Sequence, residues 1–176
     1  MANQGSPDVR PMPSRPYAPG YGIPSNPRGM LPWSFVEERM SAARNYWVAT
    51  VLPTGGPHLT PVWGLWVEGI FYFGSGAQTR KARDLAANPN VAVHPQSDDV
   101  VIIEGVAETL TDPDPRLVER VFAASRAKYG MGSHDIAGSY AVRPRVIFAW
   151  TAGGFPNTAT RWVFDQDVLI NKRAGS

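Results

Sequence analysis

Residues 46–74 read YWVATVLPTGGPHLTPVWGLWVEGIFYFG, and this stretch decides the fold. Two runs rich in aromatic and β-branched residues, Tyr46–Leu52 and His58–Val67, flank a turn sequence at Pro53–Pro57. Runs of this kind on either side of a Gly/Pro turn are typical of paired antiparallel strands. The first part of the stretch therefore predicts a β-hairpin.

The second part of the stretch adds one more strand. The tight-turn pair Glu68-Gly69 leads into another apolar run, Ile70–Gly74, so the whole stretch predicts a three-stranded meander. Pro61 has no amide hydrogen and interrupts the second strand, which indicates a bulge or an edge position there.

Helix signals surround this stretch. Ser34 and Glu37 have the spacing of a capping box, which predicts a helix from Ser34 as N-cap to about Asn45. Thr79–Ala87 is predicted to be a short helix, and Asp112-Pro113 is predicted to open a third helix. One face of that third helix consists of Leu117, Val118, Val121, Phe122, Ser125 and Tyr129.

Further strands complete the pattern, at Val91–His94, Val100–Leu110, Arg145–Thr151 and Arg161–Phe164. Short strands that alternate with turn signals favour a barrel or a sandwich, and the pattern leaves both open.

The ends of the chain differ from its middle. Proline occurs at eight positions within residues 1–32, and such a Pro/Gly-rich segment cannot build a core of its own. We expect residues 1–15 to be disordered and residues 16–32 to form an arm, draped over a partner subunit or left as a flexible tail. One domain is expected over 33–165, followed by a tail at 166–176.

Composition excludes several classes of protein. The 176 residues suit one domain, and the absence of cysteine excludes disulfides, zinc–thiolate sites and iron–sulfur clusters.

No apolar run approaches the ~18 residues of a membrane span, and no secretory signal is visible, so we expect a cytoplasmic protein without membrane contact. A net charge of +2 without a Lys/Arg-rich run argues against nucleic acid. The three histidines are scattered, and no metal site is expected.

Residues 73–83, FGSGAQTRKAR, carry the first candidate site. A strand ends in a loop of small residues, and a helix then begins with Arg80, Lys81 and Arg83 in its first turns. Cations there oppose the helix dipole, and a phosphate bound by backbone N–H groups with Lys81 and Arg80 would resolve the conflict. The alternative is a solvated basic face, partly paired through Arg80 and Asp84.

Residues 60–66, TPVWGLW, carry the second candidate. Pro61 and Gly64 leave backbone groups free for close approach of a flat ligand. Trp63 and Trp66 are three residues apart and point to opposite faces of a regular strand. The alternative is that both tryptophans are ordinary core residues beside a bulge.

The ordered set of these segments resembles the pyridoxamine 5′-phosphate oxidase-like split β-barrel superfamily. The set runs from the first hairpin through Pro61-Val62-Trp63 and Thr79–Leu85 to Asn88-Pro89 and Glu104-Gly105, over about 34–164. Within the superfamily the chain is most similar to the actinobacterial flavin/deazaflavin oxidoreductases of branch B. The resemblance implies a mainly β, FMN-binding-like split β-barrel with short helices packed outside.

The resemblance also implies a homodimer with the cofactor in a cleft at the subunit interface. Thr79, Arg80 and Lys81 would hold the phosphate, and Arg83 would reach the phosphate or an acidic cofactor tail. The strand Pro61, Val62 and Trp63 would line the ring through its backbone, while Trp150 and Trp162 would close the pocket. One departure is Asp84, where the family usually has Asn, because an added negative charge near a phosphate weakens binding.

The implied function is hydride transfer between coenzyme F420 and a small unsaturated or carbonyl-containing substrate, with FMN as the alternative cofactor. No catalytic side chain is assigned, because the cofactor carries the chemistry. Non-catalytic binding of a flavin, heme or tetrapyrrole is a second class of function, since fold does not fix activity. A cofactor-free dimeric scaffold is the third.

Overall fold

The computed structural model describes residues 11–164. Within them, nine strands and three helices form the fold. The helices are α1 (Trp33–Ala42), α2 (Arg80–Ala87) and α3 (Pro115–Tyr129). The strands are β1 (Pro13–Ser14), β2 (Asn45–Val51), β3 (Pro57–Trp63), β4 (Leu65–Val67), β5 (Ile70–Phe73), β6 (Asn90–Pro95), β7 (Val100–Thr109), β8 (Tyr140–Trp150) and β9 (Thr160–Val163). None of the helices in this part of the chain is long and apolar enough to cross a membrane.

All of the observed strand pairs are antiparallel and belong to one sheet. The strand order is β1-β9-β8-β7-β6-β2-β3, and the β4–β5 hairpin joins through β5 and β8. The long strand β8 thus pairs with β5 near its start and with β9 near its end. The prediction of a mainly β, split-barrel architecture with three short helices is confirmed.

The meander prediction was wrong, because residues 46–74 form two separate hairpins. β3 pairs with β2 and lies at an edge of the sheet, as Pro61 indicated, whereas β4 pairs with β5. The chain changes direction at Gly64, where an added Cβ would lie 2.2 Å from Cζ of Phe71 and 3.0 Å from the Tyr72 carbonyl oxygen. Only glycine lets the backbone approach Phe71 this closely.

Two helix starts differ from the capping predictions. α1 begins at Trp33 after Pro32, and Ser34 makes no cap; instead the Trp33 indole N–H donates to Glu37 Oε1 at 3.0 Å. α3 begins two residues later than predicted, with Asp114 as N-cap and Pro115 in the first turn. Pro32 immediately precedes the first residue of α1, and Pro115 is the first residue of α3.

Strand β8 begins at Tyr140, five residues before the predicted start at Arg145. Pro144 argues against a regular strand, but it lies beside a shift in register between Glu104 and Gly105 of β7. A Cβ on Gly105 would lie 2.3 Å from the Arg143 carbonyl oxygen. The glycine and the bulge therefore accommodate the proline within the sheet.

The N-terminal segment contacts its own domain from residue 13 onward. β1 pairs with β9, and Arg15 donates to the carbonyl oxygens of Asn157 at 2.7 Å and Ala159 at 2.8 Å. The expected disorder of residues 1–15 is therefore wrong for this part of the segment. Residues 1–10, and the tail expected at 166–176 with residue 165, lie outside the described residues.

A buried carboxylate attaches α2 to the sheet. Asp84 is 1% exposed, and its Oδ2 accepts hydrogen bonds from Thr50 Oγ1 at 2.8 Å and from His58 Nδ1 at 2.7 Å. Burial acts to raise the pKa of Asp84, but these hydrogen bonds and the charges of His58 and Arg80 lower it by more, so the net pKa is below its ordinary value. One ionised side chain thus joins α2 to β2 and β3.

We expect Gly64→Ala to destabilise the fold by about 1–3 kcal/mol, because the new methyl group overlaps the Phe71 ring and forces a backbone shift. Urea unfolding measures the change. Gly153→Ala is the matched control, since a Cβ there meets nothing within 4 Å. Equal losses in the two variants would contradict the steric role of Gly64.

We expect Asp84→Asn to lower stability at neutral pH and to flatten the acid limb of the stability profile. Because the folded pKa lies below the ordinary value of 3.8, the stabilisation is complete above that value and is lost as pH falls through the folded pKa. Thermal melts from pH 7 to pH 2 measure this pH dependence. Asp112→Asn, which removes an exposed carboxylate, is the control for the loss of one charge. A profile with an unchanged acid limb in Asp84→Asn would show that the carboxylate does not anchor α2.

Candidate functional site

The loop between β5 and α2 ends in a capped helix start. Thr79 is the N-cap of α2, and its Oγ1 accepts from the Ala82 N–H at 3.2 Å and lies 2.7 Å from Ser75 Oγ. The first intrahelical bond runs from the Arg83 N–H to the Thr79 carbonyl. The N–H groups of Arg80 and Lys81 precede it, which is the arrangement that binds anions at helix N-termini.

The charge of this helix start is positive and unneutralised. Arg80 and Arg83 are exposed and Lys81 is half-buried, and no acidic residue occupies the first turn. Within residues 11–164 no carboxylate forms an ion pair with any of the three cations. Burial lowers the pKa of Lys81. An anion bound at this helix start would therefore offset the repulsion between the cations and the positive end of the helix dipole. It would also offset the cost of burying the Lys81 ammonium group.

Asp84 does not oppose such an anion directly, although it replaces the usual Asn. Its side chain faces the sheet and accepts from Thr50 and His58, so it is turned inward rather than paired with Arg80. The alternative, a solvated basic face partly paired through Arg80 and Asp84, remains open: the two side chains form no direct ion pair among the described residues, but the charge of Arg80 contributes to the lowered pKa of Asp84.

The strand expected to line a ring has two different faces. Pro61 and Trp63 are exposed on the outer face of β3, with Trp63 57% exposed, whereas Val62 is buried in the core. The two tryptophans also differ, because Trp66 is buried and Trp63 is not. The Val62 side chain is thus not available to a ligand, whereas the Trp63 ring is partly exposed.

A cavity of about 220 Å³ lies beside this strand. Trp63 and Gly64 line it from the end of β3, and Phe73 and Gly74 line it from the end of β5, where the loop to α2 begins. Tyr129 closes one side and stacks on Trp63, with ring centroids 4.9 Å apart and an interplanar angle of 8°. Of the residues predicted to bind a cofactor, only Trp63 lines this cavity, and the cations of α2 lie outside its lining.

Sequence reasoning missed the residues of this cavity that come from α3 and the following loop. Tyr129 was assigned only to the core face of a helix, yet its hydroxyl contacts the Gly64 backbone, accepting from the N–H at 3.0 Å and lying 2.9 Å from the carbonyl oxygen. Met131, Ser133, Asp135 and Ser139 also line the cavity. Their segment carries a Gly/Ser composition but no motif that would have indicated the contact.

The two tryptophans expected to close the pocket lie elsewhere. Trp162 is 1% exposed and packs edge-on against Trp33 at 5.8 Å, so it is a core residue and this expectation is corrected. Trp150 is half-buried beside Phe155, at 5.5 Å, and does not line the cavity. Neither β8 nor β9 pairs with β3 in the sheet.

Comparison with solved structures gives the same architecture. A conserved hypothetical protein from Mycobacterium tuberculosis is similar over 81% of this chain and 98% of its own, with 22% identity and a TM-score of 0.57. HutZ, the heme storage protein from Vibrio cholerae, is similar over 66% and 93%, with 16% identity and a TM-score of 0.53. The General Stress Protein 26 from Bacillus anthracis is similar over 66% and 91%, with 18% identity and a TM-score of 0.52. At these identities the likeness concerns the fold alone.

Sequence comparison identifies the family directly. No curated protein is similar enough in sequence to count as a relative. Residues 35–159, however, match the family profile described as Pyridoxamine 5′-phosphate oxidase. Because this match spans well over half of the chain and includes both β3 and the start of α2, the protein belongs to the pyridoxamine 5′-phosphate oxidase family.

Proposed function

We propose that this protein is an oxidoreductase that uses the deazaflavin coenzyme F420 for hydride transfer to or from a small unsaturated or carbonyl-containing substrate. The cofactor lies at the interface of a homodimer, with its phosphate at the start of α2 and its ring along β3. Family membership supports the general class of cofactor site, and the residues described above support the details.

The positive start of α2 carries the proposal. Arg80, Lys81 and Arg83 stand without ion-pair partners among the described residues, beside backbone N–H groups that precede the first intrahelical bond. A cofactor with a phosphate and an additional acidic tail, such as F420, suits this charge, and the phosphate of FMN would use the same cations.

The chain's own residues bind and orient, while the coenzyme supplies the hydride chemistry. The backbone of Pro61 and Val62 offers an extended edge to a flat ring, since β3 is the last strand of the sheet. The Trp63–Tyr129 pair limits the space beside that ring to a cavity of about 220 Å³. No side chain of this chain is assigned a proton-transfer role, because solvent could supply the proton.

An exposed apolar face supports the homodimer. Trp47, Leu59 and Trp63 are 40%, 59% and 57% exposed, and all three lie on the outer face of the β2–β3 hairpin. Exposed apolar surface concentrated on one face is typical of a protein interface. A second copy that covers this face would also enclose a ring lying along β3.

FMN is the alternative cofactor, because its phosphate and ring would use the same groups. A non-catalytic carrier of a flavin, heme or tetrapyrrole is the alternative class. Fluorescence titration of the purified protein with oxidised F420, and separately with FMN, tests the assignment. Tight binding of F420 alone supports the proposal, preference for FMN favours the flavin alternative, and binding of heme alone favours the carrier.

We expect Lys81→Ala to weaken F420 binding by about 1.5–3 kcal/mol, the range for hydrogen bonds to charged groups, which is roughly ten- to 150-fold in Kd. The same fluorescence titration measures the change. Arg126→Ala, which removes an exposed cation from α3, is the control and keeps the wild-type Kd. An unchanged Kd in Lys81→Ala would remove this lysine from the site.

We expect Leu59→Glu to convert the dimer to a monomer, because a charge at the centre of the apolar face cannot be buried without a partner. Size-exclusion chromatography with light scattering measures the mass. Val163→Glu is the control, since Val163 is 51% exposed but lies on β9. A wild-type protein that runs as a monomer would refute the dimer and, with it, the interfacial cofactor site.

A further inference from the structure

A second cavity, of about 460 Å³, lies between the end of α1 and the last turns of α3. Leu65, Trp66 and three alanines give it apolar walls, and Arg44 and Lys128 are its charged residues. None of the described residues that line it is acidic. It shares only Leu65 with the cavity beside Trp63 and contains none of the cations of α2. It is therefore separate from the proposed cofactor site.

The ammonium group of Lys128 is partly buried among neutral oxygens. Its Nζ donates to the Ala43 carbonyl at 2.9 Å and to the Tyr46 hydroxyl at 2.7 Å, and it lies 3.4 Å from the Gly64 carbonyl oxygen. Burial, and then the charge of Arg44, lower the pKa of Lys128 to about 8. Within residues 11–164 no carboxylate forms an ion pair with this ammonium group.

Arg44 adds a second positive charge without a counter-ion. Its guanidinium donates to the Lys128 carbonyl at 2.5 Å and lies 5.2 Å from the centre of the Tyr129 ring. The Lys128 carbonyl and the Tyr129 ring are both uncharged, and the exposed Arg44 residue lines the cavity. The Arg44 and Lys128 side chains thus repel each other, and an anion between them would remove that repulsion.

Trp66 contributes an apolar wall to the same cavity. The residue is 9% exposed, and its indole N–H is itself buried, so the N–H group is not presented to the cavity. The polar character of the cavity therefore comes from Arg44 and Lys128. Among the described residues no carboxylate pairs with either cation, which points to a ligand with anionic oxygen atoms.

We propose that this cavity binds a small organic acid, a carboxylate or sulfonate with an apolar body. The acidic group lies between Arg44 and Lys128, and the apolar body packs against Leu65 and Trp66. The size fits such a ligand, because a dry cavity of about 150 Å³ is enough to bind benzene. Inorganic phosphate would satisfy the charges but would leave the apolar walls unfilled.

Two fluorescent probes with nearly the same ring system test the proposal. 1-Anilinonaphthalene-8-sulfonate carries a negative charge, and N-phenyl-1-naphthylamine is its neutral counterpart. We expect the anionic probe to bind the folded, full-length protein at one site, and the neutral probe to bind at least tenfold more weakly. Equal affinity for the two probes, or no binding of the anionic probe, would overturn the proposal.

Variants assign the binding to these residues. We expect Arg44→Gln to weaken binding of the anionic probe about tenfold and to leave the neutral probe within twofold. Arg126→Gln, which removes a cation from α3 outside the cavity, is the matched control and leaves both affinities unchanged. Lys128→Met is the second variant, with its circular dichroism compared to wild type because Lys128 also bonds the backbone.

Binding of the anionic probe at this cavity does not depend on the proposed cofactor site at α2. Lys81→Ala should leave binding of the anionic probe unchanged even where it abolishes F420 binding. Loss of the probe in Lys81→Ala, or its displacement by F420, would place it at α2 and overturn the second site. Unchanged affinity for the anionic probe in Arg44→Gln would also overturn the second site.

Discussion

The break at Gly64 is the constraint on which the rest of the structure depends. Because no Cβ fits between its backbone and Phe71, only glycine lets the chain leave β3 and enter β4 at this point. Two residues of α3 then bind the N–H and carbonyl groups of Gly64, Tyr129 through its hydroxyl and Lys128 through its ammonium group. Beyond the break the two hairpins pair with different strands, β2–β3 with β6 and β4–β5 with β8.

The same break assembles the candidate site. It leaves Trp63 at the end of an edge strand, and the end of β5 at Phe73 and Gly74 lines the same cavity although a hairpin separates the two in sequence. Asp84 then fixes the direction of α2. Its carboxylate is held by Thr50 and His58 on the sheet side, which leaves Arg80, Lys81 and Arg83 free to receive an anion.

Burial differs between neighbouring positions of α2. Asp84 is buried while the preceding Arg83 is exposed, because consecutive helical positions point in different directions. A comparable division occurs on α3. Tyr129 forms a wall of the cavity beside β3, whereas its neighbour Lys128 lines the second cavity with Arg44.

The sequence by itself determined most of the strands, the three helices to within a few residues, the irregularity at Pro61, the three cations in the first turns of α2, and the family resemblance. These features depend on local chemistry, because β-branched runs and turn residues act over a few positions. Tertiary structure alone decided that 46–74 is two hairpins, that Trp162 is core while Trp63 is exposed, and that Asp84 faces the sheet. It also brought Tyr129, Lys128 and Arg44 to their cavities. Each of these outcomes depends on contacts between residues far apart in the chain, such as Gly64 with Phe71 and Tyr129, and no local pattern encodes which distant side chain fills a given space.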